Sequence, residues 1–130
     1  MIVVDASVLA SALGDDGEDG GRARSRLAGE RLVAPELIDL EVASVWRRAH
    51  RQRRLSDQRA RQALADLRVL PLERAPHAPL LTRIWDLRDN LTTYDAAYVA
   101  LAEAVDAPLV TADARLPRAP AISCDVELLR

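Results

Sequence analysis

Lysine is absent from this 130-residue chain, in which all 18 basic residues are arginine. A nucleotide-binding P-loop needs a lysine on the phosphates, so that class of site is excluded. Receiver domains and haloacid-dehalogenase-type phosphatases place an aspartate after their first strand, much as Asp5 follows an apolar run here. Both of those classes also use a lysine, so neither can be built here in its usual form.

Cysteine and long apolar runs are scarce as well. Cys124 is the only cysteine, which excludes an internal disulfide and a cysteine-based zinc cluster. No apolar run is long enough to span a bilayer, and Met1–Ser7 lacks the basic region that precedes the apolar part of a signal peptide. We therefore expect a cytoplasmic protein that does not associate with membranes.

The residues that are present favour one α/β domain spanning residues 1–130. Apolar residues make up 49% of the chain, which is enough for a hydrophobic core. β-prone runs alternate with helical patterns, which predicts a mostly parallel sheet covered by helices on both faces. The predicted strands are Met1–Val4, Arg31–Ala34, Val69–Leu72, Leu109–Thr111 and Ala121–Cys124. The predicted helices include Ala6–Leu13 with Ser7 as its N-cap, Arg22–Gly29, Glu36–Arg53 opened by Pro35, Asp57–Leu67 and a short helical end at Val126–Leu129, and the acidic segment 14–20 is predicted to be a flexible turn.

The segment Leu91–Leu116 carries two acids that this topology brings together. Thr92 and Asp95 are typical of a helix start, and an apolar helical pattern follows them. A short strand at Leu109–Thr111 comes next, and Asp113 lies two residues beyond it. Because the helix runs antiparallel to the strand that follows it, both carboxylates are expected at the same end of the sheet.

Two further acids occupy positions that need an explanation. Asp5 ends the first strand, where ligands bind in open α/β sheets, although a lone aspartate there is also a common turn or cap residue. Glu41 lies four residues after Leu37 and four before Val45, on the apolar face of its helix. A carboxylate on that face is costly unless it pairs with an arginine such as Arg48 or binds a cation.

The four acids together predict a carboxylate cluster at the carboxyl edge of the sheet. Oxygen ligands without histidine or cysteine suit Mg²⁺ or Mn²⁺. Such ions promote phosphodiester hydrolysis by activating water and stabilising the attacking and leaving oxygens. The predicted metal ligands and catalytic residues are Asp5, Glu41, Asp95 and Asp113.

Four segments of the chain resemble the PIN-domain ribonucleases, most closely the VapC toxins of bacterial toxin–antitoxin pairs. They are IVVDASVL, PELIDLEVASVWRR, LTTYDAAYVALAE and LVTADARL, which occur in the family's order and span nearly the whole chain. The resemblance implies a PIN-like three-layer α/β/α fold in which the same four acids hold the divalent ion. It assigns supporting roles to Ser7 and Thr111, which would order the acids or water. It also implies RNA cleavage, homodimerisation, and inhibition by a small antitoxin encoded alongside.

The stretch Arg47–Arg68 is basic, with eight arginines and two aspartates. Such a stretch is usually the solvated face of helices, but it can also contact RNA phosphates or an acidic partner. Arg47, Arg48 and Arg51 follow Glu41 along one predicted helix, so RNA entering the site would pass over them.

Aromatic and histidine side chains offer little to a binding site. Phenylalanine is absent, and Trp46 and Trp85 fit apolar helical stripes, so both are predicted to lie in the core. Base stacking on aromatics is therefore expected to contribute less than phosphate contacts. His50 and His77 have no spacing typical of a metal site and are predicted to lie at the surface.

The sequence favours a Mg²⁺- or Mn²⁺-dependent endoribonuclease that acts as the toxin of a pair. An alternative is a PIN-like module that binds RNA or protein without cleaving it. The presence of all four acids argues against that alternative. An aspartyl-phosphate phosphatase is disfavoured by the missing lysine and by Ala6 and Ser7, which stand where a second aspartate is wanted.

Overall fold

A computed structural model of residues 1–130 contains a five-stranded sheet in which every neighbouring pair of strands is parallel. The strands are β1 Ile2–Val4, β2 Leu32–Pro35, β3 Leu72–Ala75, β4 Leu109–Thr111 and β5 Val126–Leu128, in the order β3-β2-β1-β4-β5. The helices are α1 Ala6–Gly14, α2 Glu18–Leu27, α3 Ile38–Arg51, α4 Asp57–Val69, α5 Leu81–Asp86 and α6 Thr93–Val105, with short 3₁₀ turns at Ala78–Leu80 and Leu116–Arg118. The predicted α/β class with a three-layer α/β/α arrangement is confirmed.

The centre of the sheet explains where a site can form. β1 is buried throughout and lies between β2 and β4, with Val3 level with Val33 on one side and Leu109 on the other. Helix α6 packs on β1, β2 and β4, while α1 packs on α2, α3 and α4. Since all strands are parallel, the residues that follow β1 and β4 emerge side by side at one edge.

Several predicted boundaries are wrong. Helix α4 continues through Val69, so β3 begins only at Leu72, and β5 occupies 126–128, where a helical end was expected. Helix α2 begins at Glu18, inside the segment predicted to be a flexible turn, and acidic residues in a first helical turn favour that start. Pro35 ends β2 instead of opening α3.

Ser7, Trp85 and His77 differ from their predicted roles or positions, whereas Trp46 agrees with the prediction. Asp5, not Ser7, is the N-cap of α1, because the helix begins directly after β1. Trp85 is 66% exposed on the short helix α5, with the Arg88 guanidinium 4.8 Å above its ring, whereas Trp46 is buried as predicted. His77 is half-buried, and its Nε2 accepts a hydrogen bond from the backbone N–H of Leu37 just before α3.

Helix length also bears on membrane association. The longest helix, α3, has 14 residues, whereas a bilayer-spanning helix needs about 20 apolar residues. None of the helices combines the length and the apolar character that crossing a bilayer requires.

Candidate active site

The structure places the four sequence-predicted acids around the carboxyl edge of the sheet. Asp5 directly follows β1, and Asp113 lies two residues after the neighbouring strand β4. Glu41 and Asp95 are in the first turns of α3 and α6. The acids are close enough to act on one another electrostatically: the charge of Asp5 raises the pKa values of Glu41 and Asp95, and the charge of Asp113 raises the pKa of Asp95.

Asp5 is held by three hydrogen-bond donors. Its Oδ1 accepts a hydrogen bond from the backbone N–H of Ala6 at 2.8 Å. Its Oδ2 accepts from the hydroxyls of Ser7 at 2.8 Å and Thr111 at 2.7 Å. Three donors on two adjacent strand ends therefore orient one carboxylate, so the cap and ligand interpretations of Asp5 are compatible.

Ser7 and Thr111 also connect Asp5 to the segment that follows β4. Thr111 is the only buried polar residue, and its Oγ1 accepts a hydrogen bond from the backbone N–H of Asp113 at 3.0 Å. The Ser7 Oγ accepts from the backbone N–H of Ala112 at 3.2 Å. The two hydroxyls thus tie the main chain that carries Asp113 to the Asp5 carboxylate.

Glu41 is half-buried and has no ionic partner. None of the ion pairs includes Glu41, so the pairing with Arg48 that the sequence left open is not formed. Its Oε1 is buried without any hydrogen-bond partner. Burial, followed by the charges of Asp5 and Asp95, raises the pKa of Glu41, while the nearby Tyr98 hydroxyl lowers it.

Asp95 has a similar environment at the start of α6. The Thr92 hydroxyl caps this helix by accepting a hydrogen bond from the Asp95 backbone N–H at 3.1 Å, as the sequence predicted. Burial raises the pKa of the Asp95 carboxyl, as do the charges of Asp5 and Asp113, while Thr92 and Arg115 oppose the change. The positive end of the helix dipole also favours a carboxylate here.

Asp113 differs from the other acids because it is paired. The Arg115 guanidinium contacts both of its carboxylate oxygens, with Nη2 2.6 Å from Oδ2 and Nε 3.0 Å from Oδ1. The backbone N–H of Arg115 also donates to Oδ1 at 2.9 Å. Arg115 therefore holds the pKa of Asp113 below its usual value. The arginine itself is 83% exposed, so solvent screens the pair and it contributes little to stability.

The four carboxylates share an edge but do not form a closed ligand cage. No group of three histidine, cysteine, aspartate or glutamate side chains is arranged to hold a metal ion as it stands. The acids repel one another, and Arg115 pairs with Asp113. Both interactions oppose a closer approach of the four carboxylates. The donor chemistry nevertheless fits a hard divalent cation, because the acids offer only oxygens and Oε1 of Glu41 has no other partner.

Two residues that sequence reasoning did not assign to the site belong to it in the structure. Arg115 pairs with Asp113, and its position two residues downstream is the only sequence signal for this contact. Tyr98 is buried one helical turn after Asp95 and places its hydroxyl near Glu41. The i, i+3 spacing of Asp95 and Tyr98 on one helix face could have identified it.

A cavity and a basic surface lie around the acids. The cavity has a volume of about 210 Å³ and is lined by Asp95, Asp113, Arg115, Arg118 and Asn90, among others.

The basic surface is formed by three exposed arginines of α3 that form no ion pairs: Arg47, Arg48 and Arg51. They border a shallow depression with Ser44 and Gln52. Arg48 lies seven residues after Glu41, two turns or about 10 Å along the same helix face.

Comparisons with known proteins agree with this architecture. A family model for the PIN domain matches residues 2–122. Ribonuclease VapC9 of Mycobacterium tuberculosis is 46% identical over 129 residues, which cover 99% of this chain and 98% of the relative. Ribonuclease VapC1 of the same organism is 43% identical, covering 98% and 97%.

A solved structure supports the fold at lower identity. The VapBC2 complex of Rickettsia felis, crystallised with a DNA fragment from its promoter, contains a chain with a TM-score of 0.72 and 15% identity. The match covers all of both chains. At this level of identity the likeness concerns the fold alone.

Proposed function

The chain belongs to the PIN-domain family, and from that premise we propose that it is a divalent-metal-dependent endoribonuclease, the toxin of a toxin–antitoxin pair. The observation that carries the proposal is the group of four mutually repelling carboxylates at the carboxyl edge of the sheet, one of them oriented by three donors. The full-length relatives named as VapC ribonucleases supply the substrate class.

Asp5, Glu41, Asp95 and Asp113 would hold Mg²⁺ or Mn²⁺. A bound ion would act as a Lewis acid that activates water and stabilises the attacking and leaving oxygens. Ser7 and Thr111 keep the Asp5 carboxylate in place, and Thr111 also holds the main chain before Asp113. Water adds to phosphorus in line with the 3′ oxygen, which leaves with a proton, so the products carry a 5′ phosphate and a 3′ hydroxyl.

The proposed partners follow from the relatives. A solved toxin–antitoxin complex from Klebsiella pneumoniae contains a chain of this fold, and we extend that arrangement to this chain as an antitoxin-binding toxin. We also propose a homodimer, which the family resemblance implies. Co-purification with the product of an adjacent short gene and a solution molecular mass test these two proposals separately.

Purified protein should cleave a pool of structured RNAs in Mg²⁺ or Mn²⁺ and leave them intact in EDTA. Because the proposed nucleophile is water and not the RNA 2′ hydroxyl, the new 5′ ends should be phosphates that a ligase can join. Because an endoribonuclease cuts within the chain, a circular RNA should also be opened. RNA binding without cleavage in either metal would favour the non-catalytic alternative. Cleavage that persists in EDTA would contradict the metal dependence.

Arg47, Arg48 and Arg51 are expected to guide the RNA. If each contacts a phosphate, replacing all three by alanine should weaken RNA binding and reduce its logarithmic salt dependence by about one unit per contact. The matched control is the triple alanine variant of Arg31, Arg88 and Arg130, which removes the same charge from exposed positions outside the stretch Arg47–Arg68. Equal salt slopes for the two variants would assign the α3 arginines to the solvated surface.

A further inference from the structure

Tyr98 has a buried hydroxyl group that the fold does not satisfy. Its side chain is 1% exposed and is the largest of the fully buried side chains. Its Oη is buried and has no hydrogen-bond partner. A buried hydroxyl without a partner costs free energy, whereas phenylalanine would fill nearly the same volume without that cost. Packing alone therefore does not explain a tyrosine at this position.

The surroundings of the hydroxyl identify its partner. The Tyr98 hydroxyl lowers the pKa of Glu41, and burial and then Glu41 raise the pKa of Tyr98, so the two groups are close enough to interact. Oε1 of Glu41 is the other buried atom of this site without a partner. The backbone N–H of Ala6 is also close, but it can only donate, and it already bonds Asp5. Glu41 is therefore the acceptor within reach.

We propose that Tyr98 is a positioning residue: its hydroxyl, which has no partner in the structure, donates to the Glu41 carboxylate and orients it when a divalent cation is bound. This inference rests on the proposed metal-dependent function. A carboxylate that ligates a metal is normally held by a hydrogen bond from a neighbouring group. Asp5 receives such bonds from Ser7 and Thr111, whereas Oε1 of Glu41 has no partner, and the unpaired Tyr98 hydroxyl is the donor available to it.

The position of Tyr98 on α6 allows the same helix to contribute twice. Asp95 lies in the first turn of α6, and Tyr98 follows it by three residues on the same face. The helix therefore supplies one proposed ligand directly and orients a second one, which belongs to α3. Because the ring is fully buried, the hydroxyl is held in place by packing and not by a mobile chain.

Tyr98→Phe tests the proposal because stability and metal binding should respond in opposite directions. In EDTA the variant should melt at or above the temperature of wild type, since it loses an unsatisfied buried hydroxyl. Mn²⁺ affinity, measured by titration calorimetry without RNA, should fall by about ten- to a hundredfold, the usual effect of removing a group that orients a metal ligand. Tyr94→Phe is the matched control, because Tyr94 is on the same helix next to Asp95 but is 64% exposed.

A double-variant comparison makes the assignment specific. In a Glu41→Gln background, Tyr98→Phe should cause no further loss of Mn²⁺ affinity, because the residue acts through Glu41. Equal Mn²⁺ affinities for Tyr98→Phe, Tyr94→Phe and wild type would overturn the inference while leaving the proposed function intact. A Tyr98→Phe protein that melts below wild type in EDTA would overturn it too, by showing that the hydroxyl supports the metal-free core. A wild type that fails to bind Mn²⁺ would instead contradict the proposed function.

Discussion

Asp5→Asn is expected to reduce RNA cleavage by more than about a hundredfold, beyond the loss typical when a group that only orients a metal ligand is removed. The Asp5 carboxylate is oriented by donors from Ala6, Ser7 and Thr111, at the junction of the two central strands β1 and β4. Asparagine has nearly the same shape but no charge, and its amide nitrogen must face some of these donors. The measurement is the initial rate of cleavage of one RNA substrate in Mn²⁺ by equal amounts of each folded protein.

The control for this experiment is Asp89→Asn. Asp89 is exposed, and its carboxylate takes part in none of the side-chain hydrogen bonds or ion pairs of the structure. It should therefore retain wild-type activity. If Asp5→Asn and Asp89→Asn cleave equally well while both are folded, the carboxylate edge of the sheet is not the active site.

Mn²⁺ is expected to raise the melting temperature of wild type and to have much less effect on Glu41→Gln. At a concentration about 100 times Kd, a ligand that binds only the folded state stabilises it by about 2.7 kcal/mol. For a chain of this size, that corresponds to a shift on the order of 10 °C. Removing the Glu41 charge weakens the ion's site and should reduce the shift, whereas Asp89→Asn should shift like wild type. Identical shifts in all three proteins would contradict the metal site.

The same variant should behave differently without metal. Burial and like charges raise the pKa of Glu41, so its carboxyl contributes stability below its unfolded pKa of about 4.5 and loses that contribution as pH rises through the folded pKa. In EDTA at neutral pH, Glu41→Gln should therefore melt above wild type. The difference should shrink as the pH is lowered through the raised pKa of folded Glu41, because the folded wild type takes up its proton there before the unfolded chain does at about 4.5.

The structure changes which charge-removing substitution is expected to stabilise the protein in EDTA. From the sequence alone, Asp5→Asn or Asp113→Asn would be expected to relieve repulsion among four clustered acids. In the folded protein Asp5 is stabilised by three donors and Asp113 by Arg115. Removing either charge also removes these favourable contacts, so neither variant is now expected to be stabilised in EDTA. Glu41 is the acid that is half-buried and has no ion pair to offset the cost of its burial.

Local signals in the sequence were sufficient for the class of the fold and for several of its elements. The apolar run before Asp5 marks β1, the Thr92 hydroxyl caps α6, and the run at 109–111 is β4. These elements are specified by capping, periodicity and β-propensity, which act within a few residues of the chain. The order of strands and helices then places the residues after β1 and β4 at one edge, because parallel strands share their carboxyl ends.

Contacts between distant segments were decided only by the tertiary structure. The edge strand β5 lies at 126–128 because pairing with β4 stabilises it there, and pairing is not a local property. Thr111 reaches Asp5 across 106 positions of sequence, and Tyr98 of α6 lowers the pKa of Glu41, which belongs to α3. A polar side chain takes the partner that the fold brings within hydrogen-bonding distance, so residue type and spacing predict the acids but not what orients each of them.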